Sequence, residues 1–249
     1  MTIPFFKSHY SIGKSILTLK GKGESIENGP QSIIDLCVDN EVDGLTLVDD
    51  SMSGFLEGYL NTKAVGLKFR FGLRISVCDD KGEKNEGALG KTSKIIIFAN
   101  SEQGYKLLIK IYSCAAKDGF YYVPRTDYKT LASLWDNKHL SLVVPFYDSF
   151  LHRNTLYGSV CVPDFSFCEP IFAVEKNDIP FNYLIEKSIK QYAKNQATIN
   201  VKSIYYKDRE DFRAYLTFRC INKRSTLNRP NLEHMTSNEF CFQDWKEAA

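Results

Sequence analysis

Gly119-Phe120-Tyr121-Tyr122-Val123-Pro124-Arg125-Thr126-Asp127 is the stretch that decides how this chain folds. It packs three aromatics, a proline and an arginine into one short connector. Upstream, Ser101 to Ala116 places Tyr105, Leu107, Leu108, Ile111, Tyr112 and Ala115 at close to helical spacing. Before that helix, Lys94-Ile95-Ile96-Ile97-Phe98-Ala99 reads as a buried strand. Strand, helix and aromatic connector follow one another without a break.

Outward from this block, strand and helix alternate. Strands are predicted at Ile3 to Lys7, Gly44 to Val48, Phe69 to Val77, Leu140 to Phe146, Ile171 to Glu175 and Thr198 to Ser203. Helices are predicted over 30–40, with Pro30 opening the first turn, and over 53–65, 128–135, 180–195 and 208–222. The polar, glycine-bearing segment 79–91 reads as a flexible excursion. Residues 149–169 give no clear period, and 223–249 forms a C-terminal extension. The alternation predicts one α/β domain over 1–249 with a largely parallel sheet, and leaves open sheet and closed barrel undecided.

Composition narrows the function classes. The 249 residues are 43% apolar and 25% charged, ordinary for a globular protein that buries a core. A net charge of +2 argues for no polyanionic or membrane partner by itself. The N-terminus lacks a signal-peptide core, and no apolar run reaches membrane-span length. Seven scattered cysteines form no C-x-x-C pair, so reduced thiols in a cytoplasmic protein are expected. Gly13-Lys14-Ser15 imitates the end of a P-loop, but the first glycine of that motif would be Ser8.

The block "NSEQGYKLLIKIYSCAAKDGFYYVPRTD" (100–127) closely resembles the PHP (polymerase and histidinol phosphatase) domain of the bacterial DNA polymerase III alpha subunit. In that family an N-x-E-G-Y-x-x-L helix leads into G-F-Y-Y-x-P-R. The resemblance extends through Ser8-His9-Tyr10-Ser11, "LTLVDDSMSGFLEGY" (45–59), "GLKFRFGLRISV" (66–77), "INVKSIYYKDREDFRAYLTFRCI" (199–221) and "TSNEFCF" (236–242). It implies a distorted TIM-like (βα)7 barrel whose metal site lies at the carboxyl ends of the strands. The chain ends where a polymerase palm would begin, so a stand-alone copy is expected, with a virus or mobile element as one setting for it.

Active members of this family use His, Asp and Glu to hold several divalent ions that activate water. Carried over position by position, the ligands are mostly replaced. The N-terminal His-x-His-x-His falls on Ile3, Phe5 and Lys7; the Asp-His pair falls on Asp49 and Asp50. The third-strand glutamate becomes Arg74, and the late Asp-x-His becomes Ser203 and Tyr205. His9, two residues past the first cluster, is a further candidate, while His139, His152 and His234 match no ligand position. The resemblance therefore implies a vestigial pocket with no metal or other cofactor. Arg74 is expected to pair with Asp49 or Asp50 there.

Three functions follow. The first is a catalytically inactive docking module in DNA replication, with a proofreading exonuclease or polymerase subunit as partner. The second is a phosphoesterase or nuclease using Zn, Mn or Mg through Asp49, Asp50 and His9, with Asp127 or Asp148 assisting. The third is single-stranded DNA binding through 202–229, where eight Lys/Arg face three acids. Tyr121, Tyr122 and Arg125 are expected to anchor their connector on the barrel.

Overall fold

The computed structural model describes residues 2–27, 29–228 and 237–248. His234, Arg229 and Thr236 lie outside these residues. The chain divides into two compact units. The first comprises Met1–Phe71, Glu175–Pro180 and Asn200–Ala249, the second Gly72–Val174 and Phe181–Ile199.

In the first unit β1 (Ile3–Phe6) lies between β2 (Gly44–Asp49) and β8 (Thr198–Ile204), parallel to both. The register pairs Phe6 with Leu47 and Phe5 with Ser203. Helices α1 (Ile33–Asp39) and α2 (Phe55–Ala64) follow the first two strands. A 3-10 turn (Arg209–Asp211) leads into α8 (Phe212–Lys223), and α9 (Phe242–Ala248) closes the unit. Pro30 does not open α1. Ser32 caps it instead, its hydroxyl accepting the Ile34 N–H at 3.0 Å, because the Gln31 carbonyl already accepts from Thr18. Phe6, Ile33, Ile34, Leu45 and Ile204 are fully buried in the unit's interior. An aromatic stack of Tyr205, Tyr215 and Phe240 continues it, with ring centroids 5.5 and 5.7 Å apart.

The second unit is built on β3 (Lys68–Cys78), which begins in the first unit, with β4 (Ser93–Ala99), β5 (Arg125–Asp127), β6 (Leu140–Val144) and β7 (Ile171–Val174). Its helices are α3 (Glu86–Gly90), α4 (Glu102–Lys117), α5 (Tyr128–Leu134), α6 (Phe150–Tyr157) and α7 (Asn182–Tyr192). Ser101 caps α4 by accepting the Gly104 N–H at 3.1 Å, and Leu108, Ile111 and Ala115 form its buried stripe. Gly104 is fixed by packing: a Cβ there would lie 2.2 Å from the His139 carbonyl oxygen.

Strand pairings run β2-β1-β8 in the first unit, where β2 also pairs with β3, and β7-β6-β4-β3-β5 in the second. This is the α/β, TIM-like barrel class expected from the sequence. One strand departs from a largely parallel sheet: β4 is antiparallel to both β3 and β6. A hydrophobic strand reads the same in either direction, so pattern carried no sign of the reversal.

Three regions are more ordered than their sequence reading. Segment 79–91 contains α3, capped by Asn85, whose amide oxygen accepts the Ala88 N–H at 2.8 Å. The 149–169 stretch opens with α6 between a Ser149 cap and left-handed Gly158. The C-terminal extension carries α9, whose Trp245 indole donates to the Thr2 carbonyl at 2.9 Å. Among the described residues no helix is long and apolar enough to cross a membrane. The seven cysteines are thiols, and burial pushes the Cys37 thiol up to about 12 and Cys78 to about 11, which makes both poor nucleophiles.

Candidate functional site

In the first unit the ends of β1 and β2 deliver Lys7, Asp49 and Asp50 side by side. Asp49 is fully buried. Its Oδ1 accepts the Ser8 N–H at 2.9 Å and the Ser11 hydroxyl at 2.8 Å; its Oδ2 accepts the Ser8 hydroxyl at 2.5 Å. The hydroxyls cannot turn away, because Ser8 Oγ accepts from Tyr10 N–H and Ser11 Oγ from Asp50 N–H. Every contact to Asp49 is thus a donor, as an acceptor-only carboxylate requires. Burial pushes its carboxyl up, opposed by the Lys7 charge and by the Ser8 and Ser11 donors. Lys7, only 3% exposed, places Nζ 3.2 Å from Asp50 Oδ1, and Lys14 Nζ sits 2.6 Å from Asp50 Oδ2.

His9 borders this cluster. Its backbone N–H donates to the Leu17 carbonyl at 2.8 Å, and its ring lies 4.3 Å from the Tyr10 ring. Ile3 and Phe5 carry no ligand atoms. Ser203 turns to a carboxylate: its N–H and hydroxyl meet the two Glu175 oxygens at 2.8 and 2.9 Å. Burial pushes the Glu175 carboxyl up, against bonds from Ser203 and Asn177 and the charge of Lys202. Tyr205 is buried in the aromatic stack described above.

A second ionic group lies in the second unit. Arg74 on β3 donates to Asp148 Oδ2 at 2.6 Å and to the Tyr147 carbonyl at 3.3 Å. Asp148 holds a positive φ of 62°, which turns its carboxylate onto the guanidinium while its carbonyl accepts the Lys94 N–H. Asp127 serves as a helix cap, with Oδ1 accepting the Thr130 N–H at 2.7 Å. His152 is buried against Tyr147, and that burial holds its imidazole below the usual range.

The connector 119–127 is held by Arg125, which is 0% exposed. Its Nε donates to the Gly119 carbonyl at 3.3 Å and its Nη2 to the Glu83 carbonyl at 2.9 Å and the Lys81 carbonyl at 3.4 Å. Its guanidinium also lies 5.3 Å from the Tyr121 ring. Gly119 is required, since a Cβ there would fall 1.9 Å from the Arg125 carbonyl oxygen. Arg125 and Tyr121 anchor the loop as expected, but Tyr122 does not. It stands 75% exposed with φ 60°, beside Phe120 at 50%.

Sequence reasoning missed Lys14, the Ser8 and Ser11 donors and Glu175. Glu175 had a legible signal: it directly follows β7, where a strand-end carboxylate invites attention.

The donors present do not suit a multinuclear metal centre. Hard divalent ions need several converging carboxylates or imidazoles. Here the oxygens of Asp49 and Asp50 are bonded by hydroxyls, an amide and two ammoniums, and the remaining positions hold carbon, guanidinium or hydroxyl groups. Among the described residues no group of three or more His, Cys, Asp or Glu is placed to hold an ion.

An α/β barrel of this topology with polar strand ends defines the class. The sequence model of the PHP domain matches residues 27–156, a little over half of the chain, and the chain belongs to the PHP domain family. It is also similar to the DNA polymerase III subunit alpha of Borreliella burgdorferi, at 24% identity over 216 residues. That alignment covers 79% of this chain and 18% of the bacterial subunit, so the chain spans under a fifth of that relative's length.

Proposed function

We propose that this PHP domain is a non-catalytic docking module of DNA replication in the cytoplasm, binding a replication protein such as a proofreading exonuclease or polymerase subunit. One observation carries the reading: the side chains at the family's ligand positions are bonded to protein groups. Asp49 is held by Ser8 and Ser11, Asp50 by Lys7 and Lys14, Arg74 by Asp148 and Ser203 by Glu175. Similarity to a polymerase subunit supports the replication setting. The connector supports the docking role, because rigidly held, exposed aromatics lose little entropy on binding.

Single-stranded DNA binding through 202–229 draws less support. Lys202 and Arg219 are buried, and Arg209 is engaged by Asp244 and Glu247 at 2.7 Å each, which leaves fewer cations for phosphates. The test has two arms. The purified chain is assayed on bis(p-nitrophenyl) phosphate with Mn²⁺, Mg²⁺ or Zn²⁺, and no turnover above the Asp49→Ala variant is expected. It is then mixed with the host's replicative exonuclease and polymerase subunits, and co-elution with one of them is expected. Metal-dependent turnover abolished by Asp49→Ala would replace this reading with the phosphoesterase.

A further inference from the structure

The Lys7 ammonium sits where electrostatics would otherwise call for a bound ion. A lysine this deeply buried is costly unless its charge is matched at close range. The close contact is to Asp50 Oδ1 at 3.2 Å, and the Lys7 charge also opposes the upward push that burial gives the neighbouring Asp49 carboxyl. Lys14 completes the count from the neighbouring turn, 2.6 Å from Asp50 Oδ2. Lys7 and Lys14 together bring two positive charges to this strand end, the same charge that one divalent cation would supply. The Asp49 oxygens accept from Ser8 and Ser11, and these donors, like Lys7 and Lys14, come from the one segment 7–14 that follows β1.

We infer that Lys7, seconded by Lys14, is a tethered cation that takes the place of a metal ion and clasps the ends of β1 and β2 together. The charge is built into the chain, so the clasp is independent of divalent ions in solution. The inference concerns the site's architecture and holds whether or not the domain docks a replication protein.

The test uses the full chain and reads melting temperature and bound metal. Treatment with EDTA followed by Mn²⁺ or Mg²⁺ leaves the melting temperature unchanged, and metal analysis finds well below one ion per chain. A stoichiometric ion whose removal lowers the melting temperature overturns the inference. Lys7→Met keeps the length and apolar stem but removes the charge; it is expected to melt roughly 10 °C lower. Millimolar Mn²⁺ should recover part of that loss in the variant while leaving the parent chain unmoved, a response that a simple packing defect would not give. A Lys7→Met chain as stable as the parent, or one indifferent to Mn²⁺, overturns the inference. Where Lys7→Met fails to fold, Lys7→Met combined with Asp50→Asn decides. Recovery of a folded chain supports the clasp, and no recovery overturns it.

Discussion

Two regions of this molecule each bury a long cation, and they use it to opposite ends. At the end of β1, Lys7 turns into a cluster where the hydroxyls and carboxylates are bonded to one another. In the connector after α4, Arg125 is equally buried, but its partners are backbone carbonyls of Gly119, Lys81 and Glu83. Ammonium against carboxylate neutralises charge at the strand ends. Guanidinium against carbonyls neutralises no charge; it freezes a loop and leaves Phe120 and Tyr122 facing outward. The strand-end cluster bonds charged and polar side chains to one another, whereas the connector keeps aromatic surface turned to solvent.

The sharpest way to break the contrast is Arg125→Ala. It strands three carbonyls and opens a void where a large side chain was, so a loss of roughly 3–5 kcal/mol is expected in urea unfolding. A loss under about 1 kcal/mol would mean that the loop is held by something other than this guanidinium.

A smaller effect is expected at Asp244, which contacts the buried Lys202 and lies 2.7 Å from Arg209. Burial opposes its charge, but the bonds from Lys202 and Arg209 outweigh it and hold the carboxyl below the usual range. A carboxylate depressed in the folded state contributes stability that is complete above its unfolded value near 3.9 and fades as pH falls through the folded value. Asp244→Asn should therefore cost about 1–2 kcal/mol at pH 7, with the gap from the parent closing below about pH 3.5. A gap that stays constant down to pH 3 would show that charge is not what Asp244 contributes.

The smallest stability change is the most telling for function. Tyr122 is exposed in the left-handed region, a conformation costing of order 1 kcal/mol that glycine adopts freely. Tyr122→Gly should leave the melting temperature unchanged or slightly raised, while co-elution with the replication partner weakens at least tenfold. Undiminished partner binding would remove the connector from the docking surface.

Much of the fold was legible because it is local. The stripe of α4, its Ser101 cap and the glycine before the aromatic connector all follow from short-range rules. Strand direction was not legible, since Ile95, Ile96 and Ile97 read alike in either sense and only the antiparallel register reveals β4. Helix α6 hid because His152, Arg153 and Asn154 interrupt its apolar face, although Ser149 and Gly158 mark its ends. At the site, Lys7, Asp49, Asp50 and Arg74 were placed by resemblance, but their partners were not. Ser11 reaches Asp49 across 38 residues and Asp148 reaches Arg74 across 74, separations that only the folded sheet brings together. Tyr122 was misassigned because its neighbours Tyr121 and Arg125 do anchor, and sequence cannot tell adjacent aromatics apart.

The bond from the Trp245 indole to the Thr2 carbonyl places the start and the finish of the described chain side by side. A short linker joining the two, with a new opening cut at an exposed turn such as Lys194–Asn195, would preserve this seam while moving the chain ends elsewhere.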